Sequence, residues 1–97
     1  MEMVVPDEVR DLLASYRLDP DLLLDLWAYI DEDIPNTYDI LRGNRPADFL
    51  HEGFYAAQTF WVGIVRHTFH LWVDDSSATG RLFLRDVQHD IGDPDQE

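Results

Sequence analysis

The charged residues of this chain are segregated along the sequence, and this limits which parts can be buried together. Residues 1–33 hold ten acidic residues against two arginines, residues 34–73 hold three of each, and residues 74–97 hold seven acidic residues against two arginines. The balanced middle also contains eight of the twelve aromatic residues. Because unpaired charge is costly to bury, we expect a buried central element flanked by acidic outer ones.

The overall charge is strongly one-sided. The net charge is −13 in 97 residues, and all seven basic residues are arginines. A chain without a basic surface releases no counterions from phosphates and is repelled by anionic lipids. We therefore expect no direct binding to nucleic acid and none to membranes.

Length and composition predict one folded domain. With 45% hydrophobic residues the chain can bury a core, which we place in residues 1–91, with a frayed acidic tail at 92–97. The absence of cysteine excludes disulfides and thiolate sites. The first ten residues, MEMVVPDEVR, lack the basic region of a secretory signal, and the apolar run at 60–65 is far shorter than the ~20 residues of a membrane span. We predict a cytoplasmic protein.

Two helices are predicted in the acidic N-terminal segment. Pro6 suits the start of the first helix, and apolar residues then recur at helical spacing: Val9, Leu12, Leu13 and Tyr16. The second helix is predicted to start at Asp19, an N-cap residue followed by proline. Its apolar face would contain Leu23, Trp27 and Ile30.

Residues 46–74 are predicted to form one long helix. The apolar residues step by three or four positions: Leu50, Phe54, Ala57, Trp61, Val65, Phe69 and Trp72. A polar stripe has the same period: His51, Tyr55, Gln58, Thr59, Arg66, His70 and Asp74. Two matched stripes indicate a helix, with a kink at Gly53 or Gly63.

With short helices predicted at 35–42 and 81–91, the expected fold is mainly α. It is a small single-domain bundle of about four to five helices with the long helix at its centre. An α+β fold with strands in 59–73 and 81–87 is the alternative, because aromatic and β-branched residues favour strands there. The poor period-two alternation counts against this alternative, since both faces of the strand would be apolar.

The segment VRHTFHLWVDD raises the question of a metal site, because His67 and His70 lie three residues apart. In a helix, Asp74 would complete the only compact local set, whereas His51 would lie about 24 Å from His67. A stable zinc site needs a third and usually a fourth ligand, and the sequence has no HExxH pattern. We predict no metal, no cofactor and no catalytic residues. A small metal-dependent or cofactorless enzyme centred on His67, His70 and Asp74 is the alternative.

The acidic surface of the N-terminal helices is the predicted partner-binding site. Like charges one turn apart, and acids at the C-terminal end of a helix, both destabilise it. A surface serving solubility alone would avoid them, so we infer that a basic protein neutralises these charges. The predicted binding residues are Asp11, Asp21, Asp25, Asp31, Glu32 and Asp33.

The predicted partner is a nuclease or another nucleic-acid-binding effector whose basic groove the carboxylates occupy. DNA-mimicking anti-restriction and anti-CRISPR proteins act in this way, as do acidic nuclease immunity proteins and antitoxins. The comparison concerns general character and no shared motif. The alternative is a salt-adapted structural subunit whose acidic surface serves only solubility. The sequence does not decide whether the protein forms a homodimer.

Overall fold

The computed structural model describes residues 1–43 and 53–92. The described part is an α+β domain with one mixed sheet of four strands: β1 (Glu2–Val4), β2 (Gly53–Val62), β3 (Val65–Ser76) and β4 (Arg81–Gly92). Their order in the sheet is β1-β4-β3-β2. β2, β3 and β4 form an antiparallel meander, and β1 lies parallel to β4. The helices are α1 (Asp7–Ser15), α2 (Pro20–Ala28), α3 (Ile34–Asn36) and α4 (Tyr38–Leu41), with a π-helical turn at Tyr29–Asp33 and a 3₁₀ turn at Ser77–Thr79.

The two N-terminal helices are confirmed, but the predicted apolar face of the second helix is only partly right. Leu22, Leu26 and Ile30 are buried, whereas Leu23 and Trp27 are half-buried. The Asp19 carboxylate accepts a hydrogen bond from the backbone N–H of Asp21 at 3.0 Å, and Pro20 occupies the first turn of α2. This is the capping arrangement that the sequence indicates. At the end of α1, the Tyr16 hydroxyl donates to the carbonyl oxygen of Val87 at 3.0 Å, which ties this helix to β4.

A proline usually ends a helix, and Pro35 therefore predicts that the helical segment stops before it. In the structure the helical path continues past this residue. It passes through the π-helical turn and continues into α3, which contains Pro35. Proline has no N–H with which to continue the helical hydrogen-bond ladder, and the wider turn beside it accommodates the break. Asp31, Glu32 and Asp33 therefore lie within a helical run and are exposed there.

The prediction of a helical bundle with one long central helix is wrong. Where the long helix was expected, the described residues from Gly53 onward form the hairpin of β2 and β3. The supposed apolar stripe divides between the two faces of the sheet, with buried Phe54 and Phe69 on one and exposed Ala57 and Trp61 on the other. The predicted helix start at 46–48 and the stripe residues Leu50 and His51 lie outside the described residues.

Gly63 is a turn residue and not a helix kink. Its φ of +62° lies in the left-handed region that glycine adopts without strain. With Ile64 it forms a two-residue connection between the paired residues Val62 and Val65. Glycine at the first position of such a connection matches the right-handed twist of a hairpin. The chain therefore reverses in the middle of the segment predicted to be continuous helix.

The helix predicted at 81–91 is also wrong, because these residues form β4. The spacing of Phe83, Val87 and Ile91 suggested a helical face. A β-bulge explains part of this misleading spacing: Trp72 pairs with Asp86 and Val73 pairs with Leu84, which leaves Arg85 as an extra residue. The bulge shifts the alternation of β4, so that both Leu84 and Val87 point into the core.

The core lies between the helices and one face of the sheet. α1, α2 and the turns that follow contribute Val9, Leu13, Leu22, Leu26, Ile30 and Ile34 to it, and the sheet contributes Phe54, Ala56, Phe69, Leu71, Val73, Leu82, Leu84 and Val87. We call this side of the sheet the inner face and the opposite side the outer face. The neutral middle of the chain thus supplies much of the buried sheet, and the acidic helices cover it.

Candidate partner-binding site

A cleft of about 490 Å³ lies between α2 and the end of β2. From α2 and its cap it is lined by Asp19, Asp21, Leu22 and Asp25, and from the strand by Thr59, Phe60, Trp61 and Val62. The helix turns Leu22 and Leu26 into the core, which leaves Asp21 and Asp25 exposed. The cleft therefore has an acidic wall on the helix and a largely apolar wall on the strand.

The strand wall belongs to the tip of the β2–β3 hairpin, where large apolar side chains are exposed. Trp61 is 64% exposed and Ile64 is 68% exposed. Phe60 is half-buried and packs against the core, with its ring 6.1 Å from that of Phe69. Concentrated apolar exposure of this kind is typical of an interaction surface.

All of the charged residues that line the cleft are carboxylates. The cation nearest in strand register is Arg66, which is paired with Trp61. Its guanidinium extends over the backbone of Gly92, since a Cβ added there would lie 2.7 Å from an Arg66 Nη atom. Glycine at this position leaves room for that side chain. The cleft thus offers negative charge beside an apolar surface, a combination suited to a cationic ligand with some apolar area.

The structure brings together only some of the predicted binding residues. Asp21 and Asp25 line the cleft. Asp11 is exposed on α1, and Asp31, Glu32 and Asp33 are exposed on the π-helical turn, so these four carry charge outside the described lining. The sequence predicts Asp19 only as a helix cap. In the structure this residue caps α2 and also lines the cleft.

Sequence reasoning missed the strand wall of the cleft. Its signal in the sequence is the uncharged run at 53–65, which contains the adjacent aromatic residues Phe60 and Trp61. The sequence pattern predicts a helix there and places its aromatic residues in the core, so it does not predict an exposed strand edge.

The two histidines of the segment VRHTFHLWVDD lie on opposite faces of the sheet. His67 shares the inner face with Phe60, whereas His70 shares the outer face with Ala57. The set His67, His70 and Asp74 therefore cannot close around one ion from this strand. Among residues 1–43 and 53–92, no group of three or more potential ligands is arranged to hold a metal.

Each histidine instead belongs to its own local cluster. His67 Nδ1 and His89 Nε2 are 3.0 Å apart, and their rings stack. Burial, followed by the neighbouring His67, lowers the pKa of His89 below its usual value, while Asp90 opposes this effect. On the outer face, His70 Nε2 lies 2.9 Å from an Asp90 carboxylate oxygen, and its Nδ1 is hydrogen-bonded to the Tyr55 hydroxyl.

Comparison with protein-family models, with curated proteins and with solved structures finds no match. In the described ranges, no helix is both long and apolar enough to cross a membrane. The function must therefore be argued from the site itself.

Proposed function

We propose that this protein is a small acidic binding protein that holds a basic partner at the cleft between α2 and β2. By occupying cationic side chains of that partner, it blocks the partner's binding to nucleic acid. The observation that carries the proposal is the lining of the cleft, where the charged residues Asp19, Asp21 and Asp25 stand opposite exposed apolar side chains of the hairpin.

Two properties of the molecule support a basic partner. The net charge of −13 attracts cations from a distance and speeds their association. The cleft then adds apolar area, which charge alone lacks, so that a cationic segment with apolar residues gains more there than on the rest of the acidic surface. A nuclease or nucleic-acid-binding effector has the required basic surface.

The test uses a fluorescent peptide that alternates arginine and valine, which stands in for the basic partner. We expect the protein to bind this peptide, to release duplex DNA from it, and to lose affinity steeply as salt is raised. The double variant Asp21→Arg/Asp25→Arg should weaken binding about tenfold or more, because it reverses the wall of the cleft.

The matched control is Asp7→Arg/Asp11→Arg. It makes the same change of charge at the same spacing on α1, a helix of the same nine-residue length. We expect an effect of about threefold or less, from long-range electrostatics alone. Equal losses in the two double variants would show that the acids are a diffuse solvated coat and would contradict the cleft as the binding site.

A further inference from the structure

β2 is an edge strand: β3 pairs with one of its two lateral edges, and the other edge has no partner strand in the described part of the chain. The sheet order places β2 at one end, paired only with β3. Among residues 1–43 and 53–92, no backbone hydrogen bond joins β2 to a loop or helix. Within the described part of the chain, a row of backbone N–H and C=O groups along this edge therefore has no backbone partner.

Within its own ten residues, β2 also lacks the features that usually protect an edge strand against pairing. Natural sheets protect their edges with charged residues, prolines, bulges or very short strands. β2 is ten residues long, and its sequence, GFYAAQTFWV, contains no charge and no proline. Its register with β3 is continuous from Gly53 to Val62, so no bulge interrupts it.

The cleft lies beside the last four residues of this edge. Successive residues of a strand point to opposite faces of the sheet, yet four consecutive residues of β2 line the cleft: Thr59, Phe60, Trp61 and Val62. A cavity on one face would be lined by alternate residues. Lining by consecutive residues places the cleft beside the backbone itself.

We propose that the cleft binds an extended, arginine- or lysine-rich segment of the partner, which adds to the sheet as a fifth strand beside β2. This inference rests on the proposed function and specifies how the basic partner is held. The backbone of the segment pairs with β2. Its alternate side chains on the side of Phe60 and Val62 point toward α2, where Asp21 and Asp25 meet cationic groups.

Charge complementarity selects this occupant over a second copy of the chain. Two copies joined edge to edge would bring together two molecules of net charge −13, with an acidic wall beside each edge. Repulsion of this kind opposes association. A cationic strand relieves the same charge instead.

The test compares the arginine–valine peptide with two isomers that carry N-methyl groups on alternate residues. In one isomer the arginines are methylated, and in the other the valines. An added strand directs alternate N–H groups toward β2, so one isomer loses the pairing hydrogen bonds while the other retains them. We expect one isomer to bind at least about tenfold more weakly than the parent and the other to bind like it.

Equal binding of the parent and both isomers would overturn strand addition and leave the proposed function standing. Equal loss in both isomers would also overturn it, because pairing along one edge is sensitive to only one set of N–H groups. Failure of the unmethylated peptide to bind would contradict the proposed function itself. Sedimentation of the protein alone should show a monomer, and a dimer that the peptide dissociates would identify a second copy as the occupant and overturn the proposal.

Discussion

The two edge strands of the sheet, β1 and β2, differ in length and in charge. β1 is three residues long, carries Glu2 within 3.7 Å of Arg81 on β4, and is followed by Pro6 at the start of α1. β2 is ten residues long and uncharged. Shortness, charge and proline close the first edge to further pairing, in the manner of natural sheets. The second edge has none of these devices and instead has carboxylates across a cleft.

The difference bears on which kinds of strand could pair with each edge. A lysine within the strand repels cationic partners and restrains pairing in general. Carboxylates on a neighbouring helix repel acidic chains, including other copies of this protein, and attract basic ones. Under the proposed function, the edge of β2 should therefore favour cationic strands over acidic ones.

The largest expected effect is on the free energy of unfolding and comes from truncating the buried side chain that anchors β2. Phe54 is fully buried, whereas Met3 of β1 is half-buried. Phe54→Ala should lower the free energy of unfolding by about 3–5 kcal/mol, and Met3→Ala by about 1–2 kcal/mol. Urea unfolding followed by circular dichroism measures both. Equal losses would mean that the open edge is no more firmly anchored than the closed one.

A smaller effect, on the affinity for the peptide, is expected from adding a charged residue to the edge strand β2. Thr59→Lys places a cation on β2 beside the cleft and should weaken binding of the arginine–valine peptide about tenfold. Fluorescence anisotropy measures this affinity.

Thr68→Lys is the matched control for that variant. Thr68 is the β3 partner of Thr59, and the two hydroxyl oxygens are 3.1 Å apart. Both substitutions therefore break the same contact and add the same charge, but only Thr59 lies on the edge strand. If Thr68→Lys weakens binding as much as Thr59→Lys, added charge explains the loss and the edge does not.

The smallest effect concerns pH and the interior strands. Burial and the adjacent His67 lower the pKa of His89 in the folded protein, so the unfolded chain takes up this proton first. The stability contributed by neutral His89 is complete above about pH 6.5 and is lost as the pH falls below it, until the folded protein is protonated as well. Urea unfolding at a series of pH values measures this slope.

His89→Gln should flatten that part of the profile. β2 contains no histidine, so the proton acts on the β3–β4 pair and not on the open edge. An unchanged slope in this variant would assign the pH dependence to another group.

The N-terminal helices were predictable because their signals are local. The cap at Asp19, the proline behind it and the spacing of the apolar residues all act within one turn or two. The carboxylates Asp21 and Asp25 could be singled out for the same reason, because both lie on the exposed side of α2.

The sheet was not predictable in the same way, because its strands are defined by distant pairings. The outer face carries large aromatic residues such as Tyr55 and Trp72, which obscure the alternation expected of a strand with one solvated face. Steps of three and four between apolar residues then imitate a helix. The cleft was not predictable for the same reason. Half of its lining residues belong to β2, which is a strand because it pairs with β3.

The parallel pairing of β1 with β4 also has a consequence for the order in which the molecule folds. It joins Glu2, Met3 and Val4 to Arg81, Leu82 and Phe83 across most of the chain, whereas the β2–β3–β4 meander needs only short connections. Long loops cost more entropy to close, so the meander should form first and β1 should dock last. Met3→Ala should then speed unfolding while leaving the folding rate nearly unchanged, as stopped-flow kinetics can measure. Until β1 docks, β4 is a second open edge of the newly formed sheet, and the charge of the chain is its protection against aggregation during that interval.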